Sequence, residues 1–165
     1  MSNRKAHVQR ALTQESMKKR VGIAFRRFMM GQSPGWKYRQ VFGCEPEFMR
    51  AFMEHQFRHG MSWENFGLVW QVDHVLSLSA FDQTDDGEVN LCWNWVNLRP
   101  GRVGSRIPVS YQSALTVLEH RKRAFPTNPV IGKLAEIAFQ SAEGEYELTD
   151  WSGFQYHLVH ESVVE

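Results

Sequence analysis

The chain has 165 residues, 42% of them apolar and 13% aromatic, which is enough for one domain with its own core and too few for two. Cys44 and Cys92 stand alone without a CxxC pair, so a disulfide framework and a four-thiolate zinc site are excluded, and any metal has to be held mainly by oxygen and imidazole. The net charge of +1 hides two opposed ends: residues 1–30 carry eight Lys and Arg against Glu15 alone, whereas residues 141–165 carry six acids and no Lys or Arg.

Such a split points to a basic front that meets an anionic partner, although two solvated faces of different sign account for charge runs equally well. The acidic C-terminal segment faces away, screens the basic front internally, or offers a docking surface to a separate protein partner. Met1 to Arg10 lacks the apolar run of a signal peptide, and no stretch approaches the roughly 20 apolar residues of a membrane span. The expectation is a single cytoplasmic domain with no membrane partner.

In chain order, Thr13 is placed to cap a helix running toward Met30, with Met17, Val21, Ala24, Phe25 and Phe28 on one buried face and Gly31 as the stop. On that helix Lys19 and Arg26, and likewise Arg20 and Arg27, are seven residues apart, which lines the four along one basic stripe. Gly31 to Gly43 reads as a loop with at most a turn of helix. Glu45-Pro46 opens a second helix with Phe48, Met49, Phe52, Met53 and Phe57 on its apolar face, ended by Gly60. Leu68 to Val72 has the β-branched and aromatic content of a strand and delivers Asp73-His74 at its end. A loop with Asp82, Asp85, Asp86 and Gly87 follows, then an aromatic run from Leu91 to Leu98 stopped by Pro100. Gly101 to Pro108 reads as loop, Val109 to Arg123 as helix, residues 129–142 as a short helix, and Tyr146 to Val159 as a hairpin about Ser152-Gly153.

The chemistry starts at Asp73-His74. A carboxylate is a hard ligand for a divalent cation, and an imidazole takes a proton near neutral pH, so the pair supplies both functions that phosphodiester hydrolysis needs. An aspartate beside a histidine more often only orients it, and the dipeptide alone is weak evidence. His55 and His59 are four apart on the second helix, yet without a third ligand they read as surface histidines. Trp63, Trp70, Trp93 and Trp95 read as core before they read as base-stacking platforms.

The segments Gly60-Met61-Ser62-Trp63-Glu64-Asn65-Phe66-Gly67, Trp70-Gln71-Val72-Asp73-His74-Val75, Phe81-Asp82 and Asn97-Leu98-Arg99-Pro100 follow one another at spacings that resemble the HNH endonucleases of phages and homing elements. The resemblance spans roughly residues 15 to 105. It implies an α+β fold: a ββα-metal finger over 61–123, preceded by two helices within 13–60 and followed by an acidic extension of helix and short β structure over 124–165. It also implies a DNA partner, one Mg2+ or Mn2+ ion, and a phage or bacterial host cytoplasm as the setting. By position Asp73 is implied as the metal ligand, His74 as the general base, and Asn97 as the asparagine that fixes the finger's loop. Lys19, Arg20, Arg26, Arg27, Arg99, Arg102 and Arg106 are the expected nucleic-acid contacts.

Two positions depart from the family pattern. Its finger helix supplies a further ligand about nine residues beyond the central asparagine, where this chain has Arg106, and a guanidinium cannot coordinate a cation. Ser77 replaces the family's proline after the histidine. Three outcomes remain open at this point: the ion is held by Asp73 with water and phosphate, or Asp85 or Asp86 joins it, or the site has lost its metal and Arg102 or Arg106 grips the phosphate instead. The last outcome is an HNH fold that binds nucleic acid or a host protein without cutting.

Overall fold

A computed structural model describes residues 3–32, 36–105 and 110–141. The fold is α+β, with six helices and one two-stranded antiparallel sheet among the described residues. Helix α1 (Asn3–Met29) turns at Gly31 into α2 (Trp36–Phe42), and α3 (Pro46–His55) leads through a short 3-10 turn to β1 (Trp70–His74). Helix α4 (Asp86–Trp93) stands between the strands, β2 (Leu98–Arg102) pairs back on β1, and α5 (Tyr111–Ala124) and α6 (Pro129–Ser141) follow. No described helix is long and apolar enough to cross a membrane.

Several boundaries differ from those read off the sequence. Helix α1 begins at Asn3, so Thr13 lies in its interior; the favourable ends of a long helix need not coincide with the first residue able to cap it. Gly31 does end it: at φ +68 it lets Gly31 N–H reach the Phe28 carbonyl and Gln32 N–H the Arg27 carbonyl. The stretch expected as loop contains α2, which forms because Val41 and Phe42 find a core against Phe25 and Phe28. Three helices therefore precede β1 rather than two. Pro100 does not stop the preceding segment but lies within β2 opposite Val72, a position open to it because each strand of a two-stranded sheet has a free edge. Val109 and Arg106, as well as the proposed hairpin and acidic segment beyond residue 141, lie outside the described residues.

One core joins these elements. Phe25, Phe28, Phe42, Met49, Met53, Trp70, Leu76, Leu98, Leu118 and Leu134 are all buried, and they come from both strands and from five of the helices. Trp95 fills the junction of α3 and α5, edge-on to Phe48, Phe52 and Phe125. The Ser62-Trp63-Glu64-Asn65 turn is a capping box, in which Asn65 Oδ1 accepts from Ser62 N–H at 3.0 Å and Asn65 Nδ2 donates to the Gly60 carbonyl at 2.9 Å. Trp70 Nε1 donates to the Ser62 carbonyl at 2.6 Å, so this turn fixes the start of β1. Both cysteines are free thiols, and burial pushes the pKa of each up to about 12, so neither is a thiolate at neutral pH.

Candidate functional site

The register of the sheet settles which residues share a face. Trp70 pairs with Arg102, Gln71 with Gly101, Val72 with Pro100, Asp73 with Arg99 and His74 with Leu98. Because side chains alternate, Trp70, Val72, His74 and Leu98 turn to the core, whereas Gln71, Asp73, Arg99 and Gly101 lie on the outer face. Adjacent Asp73 and His74 thus leave the strand on opposite sides at its end.

His74 is 6% exposed and meets the Trp93 ring edge-on, with centroids 4.6 Å apart. A general base is expected to meet solvent, whereas this imidazole is nearly covered and packs on Trp93. Asp73 is half open, and Arg99 reaches it from the facing strand, with Nε at 3.1 Å and Nη2 at 2.8 Å from the same oxygen, Oδ2.

Asn97 is completely buried and spans the gap between the strands and α4. Its Oδ1 accepts from Leu76 N–H at 2.8 Å, while Nδ2 donates to the carbonyls of Leu76 at 3.1 Å and Cys92 at 2.9 Å. Its backbone carbonyl also accepts from Val75 N–H at 2.7 Å. These bonds close the turn that follows His74 onto the entrance of β2, so Asn97 holds the strand end in place without itself reaching solvent.

Beneath β2 lies Arg121, to which the sequence reading assigned nothing. It is 7% exposed, and its guanidinium donates to the carbonyls of Val96 and Leu98, on either side of Asn97, and to Gln56 Oε1 at 2.8 Å, while stacking over Phe52. No described carboxylate pairs with it. Burial, with a smaller contribution from the Arg99 charge, pushes its pKa down to about 9, so it is still a cation at neutral pH. A basic run on a helix normally signals solvent exposure, but Arg121 follows Ala114 and Leu118 at the spacing of one buried face, and that period is the signal that could have found it.

The other expected contacts are dispersed. Lys19, Arg20, Arg26 and Arg27 are exposed on α1. Of these, Arg26 lies over the Phe66 ring and against Gly67, whose N–H donates to the Trp70 carbonyl. Arg102, opposite Trp70, donates to the His59 carbonyl at 3.0 Å. Arg26 and Arg102 therefore gather at the Trp70 end of the sheet, while Arg99 and Asp73 mark the other half, about 10 Å along the strand. Asp85 caps α4 by accepting from Glu88 N–H at 2.9 Å, which occupies it as a helix cap. Among the described residues no three His, Cys, Asp or Glu side chains converge on one point. The donor set at the strand end is one half-open carboxylate, which suits a magnesium-like ion that keeps most of its waters and does not suit zinc.

Gly101 completes the outer face. A Cβ there would stand 2.7 Å from Asp73 Cβ and 3.2 Å from Oδ2, so only glycine leaves this carboxylate where it is. Gly101→Ala is expected to displace Asp73, break its pair with Arg99 and lower stability by about 1–3 kcal/mol, as overpacking does. Urea unfolding measures this, and an unchanged midpoint would show that the strand yields without cost.

No family model matches the chain, and no solved structure does. Similar proteins include two uncharacterized proteins of Acanthamoeba polyphaga mimivirus. One is 41% identical over 64 residues, covering 39% of this chain and 28% of that protein. The other is 37% identical over 62 residues, covering 38% of this chain and 27% of that protein. The chain thus spans little more than a quarter of the length of these curated relatives.

Proposed function

We propose that the chain is a metal-dependent endonuclease of the HNH, ββα-metal type that hydrolyses DNA phosphodiester bonds. The observation that carries this reading is the end of β1, where Asp73 and His74 follow one another on its outer and inner faces and Asn97 ties the following turn to β2. In this reading Asp73 holds a Mg2+ or Mn2+ ion, which when bound stabilises negative charge on the phosphate and the leaving oxygen. His74 accepts a proton from the attacking water as the bond from phosphorus to the leaving oxygen breaks, and Trp93 keeps its ring in one orientation for that transfer. Arg99 and Arg102 serve the phosphates near the sheet, and Lys19, Arg20, Arg26 and Arg27 serve the backbone farther out.

The test is incubation of the purified chain with plasmid DNA, with Mg2+, with Mn2+ and with chelator. Nicking with either ion, lost in Asp73→Ala and reduced at least a hundredfold in His74→Gln, is the expected result. His74→Gln is preferred to His74→Ala because the ring is buried, and truncation would confuse loss of the base with loss of packing. Equal activity in wild type and both variants would assign the cleavage to a contaminant or to another site.

A second reading is favoured by one contact. Arg99 already occupies Asp73 Oδ2, and position 106 offers another guanidinium in place of a ligand, as in a fold that has exchanged its metal for fixed cations and binds nucleic acid without cutting it. Duplex binding with no cleavage under any of the ions would select this reading.

A further inference from the structure

The turn that leads into β1 holds an aliphatic side chain out in water. Leu68 is 78% exposed, the most exposed large apolar residue among those described, and Val103 is 43% exposed. Val103 N–H donates to the Val69 carbonyl at 3.1 Å, which extends the strand pairing past Trp70 and places both residues at the same end of the sheet. Leu68 is not free to fold back on the core. The N–H of Gly67 donates to the Trp70 carbonyl at 2.7 Å, and those of Leu68 and Val69 donate to the Asn65 carbonyl at 3.0 and 2.9 Å, while the Asn65 side chain is fixed in its capping box. Guanidiniums flank this tip. Arg26 lies against Gly67 and over the Phe66 ring, and Arg102 precedes Val103 with its Nη2 on the His59 carbonyl. Glu64, the acid of the same turn, has its carboxyl held below its usual pKa chiefly by a hydrogen bond from Ser62, with a smaller contribution from the Arg50 charge.

We propose that Leu68 is a wedge: with Val103 beside it and Arg26 and Arg102 on the flanking phosphates, it enters between stacked base pairs of duplex DNA and kinks the duplex at this end of the sheet. This rests on DNA being the partner and not on cleavage at Asp73, which lies about 10 Å beyond Trp70 along the strand. The size of the patch selects the occupant. One or two aliphatic side chains suffice to part a base step, because the cost of unstacking is offset by the added protein surface that a bent duplex covers. They are too few to hold a chain at a bilayer interface, where a whole apolar helix face and aromatic residues do that work. They are also too small for a stable protein interface, which covers about 800 Å² on each partner. Arginine suits the flanks, since its planar fork matches phosphate oxygens and both guanidiniums are already oriented by a ring or a carbonyl. The closed turn matters as well: parting two bases needs a rigid support, and an ordered one loses less entropy on binding than a loose loop.

The experiment uses the full chain in chelator, so that no strand is cut, with a short duplex rich in TA steps, which part most easily. Adenine at those steps is replaced by 2-aminopurine, whose fluorescence rises on unstacking, and an end label reports binding by anisotropy. Wild type at saturation is expected to raise the 2-aminopurine signal about two- to fivefold. Leu68→Ser is expected to abolish that rise even at saturation and to bind about three- to tenfold more weakly, whereas Leu68→Met keeps it. Because Leu68 stands in water, neither change touches the core. Arg102→Gln is expected to weaken binding but to keep the rise at saturation, since a phosphate contact positions the wedge without being it. A flat signal for wild type at saturation, or an equal rise with Leu68→Ser, overturns the wedge and leaves DNA as the partner. A flat signal together with sedimentation of wild type, but not of Leu68→Ser, on phosphatidylglycerol vesicles overturns it in favour of a membrane surface. No anisotropy change at low salt overturns both the wedge and DNA as the partner.

Discussion

Replacing Asn97 by alanine is expected to remove about 3–5 kcal/mol of stability, a large share of what a domain of this size has. The side chain is fully buried and makes three hydrogen bonds, two as donor and one as acceptor. Its loss leaves the Leu76 N–H without an acceptor in the interior, and an orphaned buried donor costs about 1–3 kcal/mol by itself. The carbonyls of Leu76 and Cys92 lose a donor at the same time, and a small cavity remains. Asn97→Asp is expected to be at least as damaging, because it keeps the shape but sets a carboxylate oxygen against two carbonyls. Urea unfolding followed by tryptophan fluorescence measures both. A loss below about 1 kcal/mol would mean that water replaces the amide, and Asn97 could not then be what holds the strand end.

Arg121→Ala is expected to cost a similar amount, about 3–5 kcal/mol, and Arg121→Met clearly less, about 1–3 kcal/mol. The difference follows from two opposed terms. Burying a guanidinium without a carboxylate is expensive, and any neutral replacement recovers that cost. Against it stand the hydrogen bonds to Val96, Leu98 and Gln56 and the packing over Phe52. Methionine restores most of the packing while leaving only carbonyl and amide oxygens short of a donor, which is milder than leaving an N–H unpaired. Alanine adds a cavity between α3 and α5. Equal midpoints for Arg121→Met and Arg121→Ala would show that the polar contacts, rather than packing, dominate. Because Arg121 grips the carbonyls flanking Asn97, the two substitutions are neighbours in one network, and the double variant is expected to lose less than the sum.

What could be read from the residues alone was local. The Met and Phe spacing of α3 and the β-branched and aromatic content that brings Asp73-His74 to a strand end depend on residues a few positions apart, and they were legible for that reason. Asn97 was singled out by its place in a motif, with its neighbourhood to His74 across the chain left to the structure. Helix α2 was hidden because its aromatic residues sit between Gly and Pro, and only the core offered by Phe25 and Phe28 makes a helix of them. Pro100 looked like a terminator because a proline cannot complete a ladder on both sides, and it is the two-stranded sheet, a fact about the whole fold, that admits it. The face of each strand residue followed from the register of β1 on β2, which joins positions 24 to 32 residues apart. That register decided that His74 lies inward on Trp93, that Arg99 stands at Asp73, and that Gly101 must stay bare. Arg121 is a mixed case: it follows Ala114 and Leu118 at the four- and three-residue spacing of one helix face, so its side of α5 was legible, but only the packing of α5 beneath β2 covers a cation there.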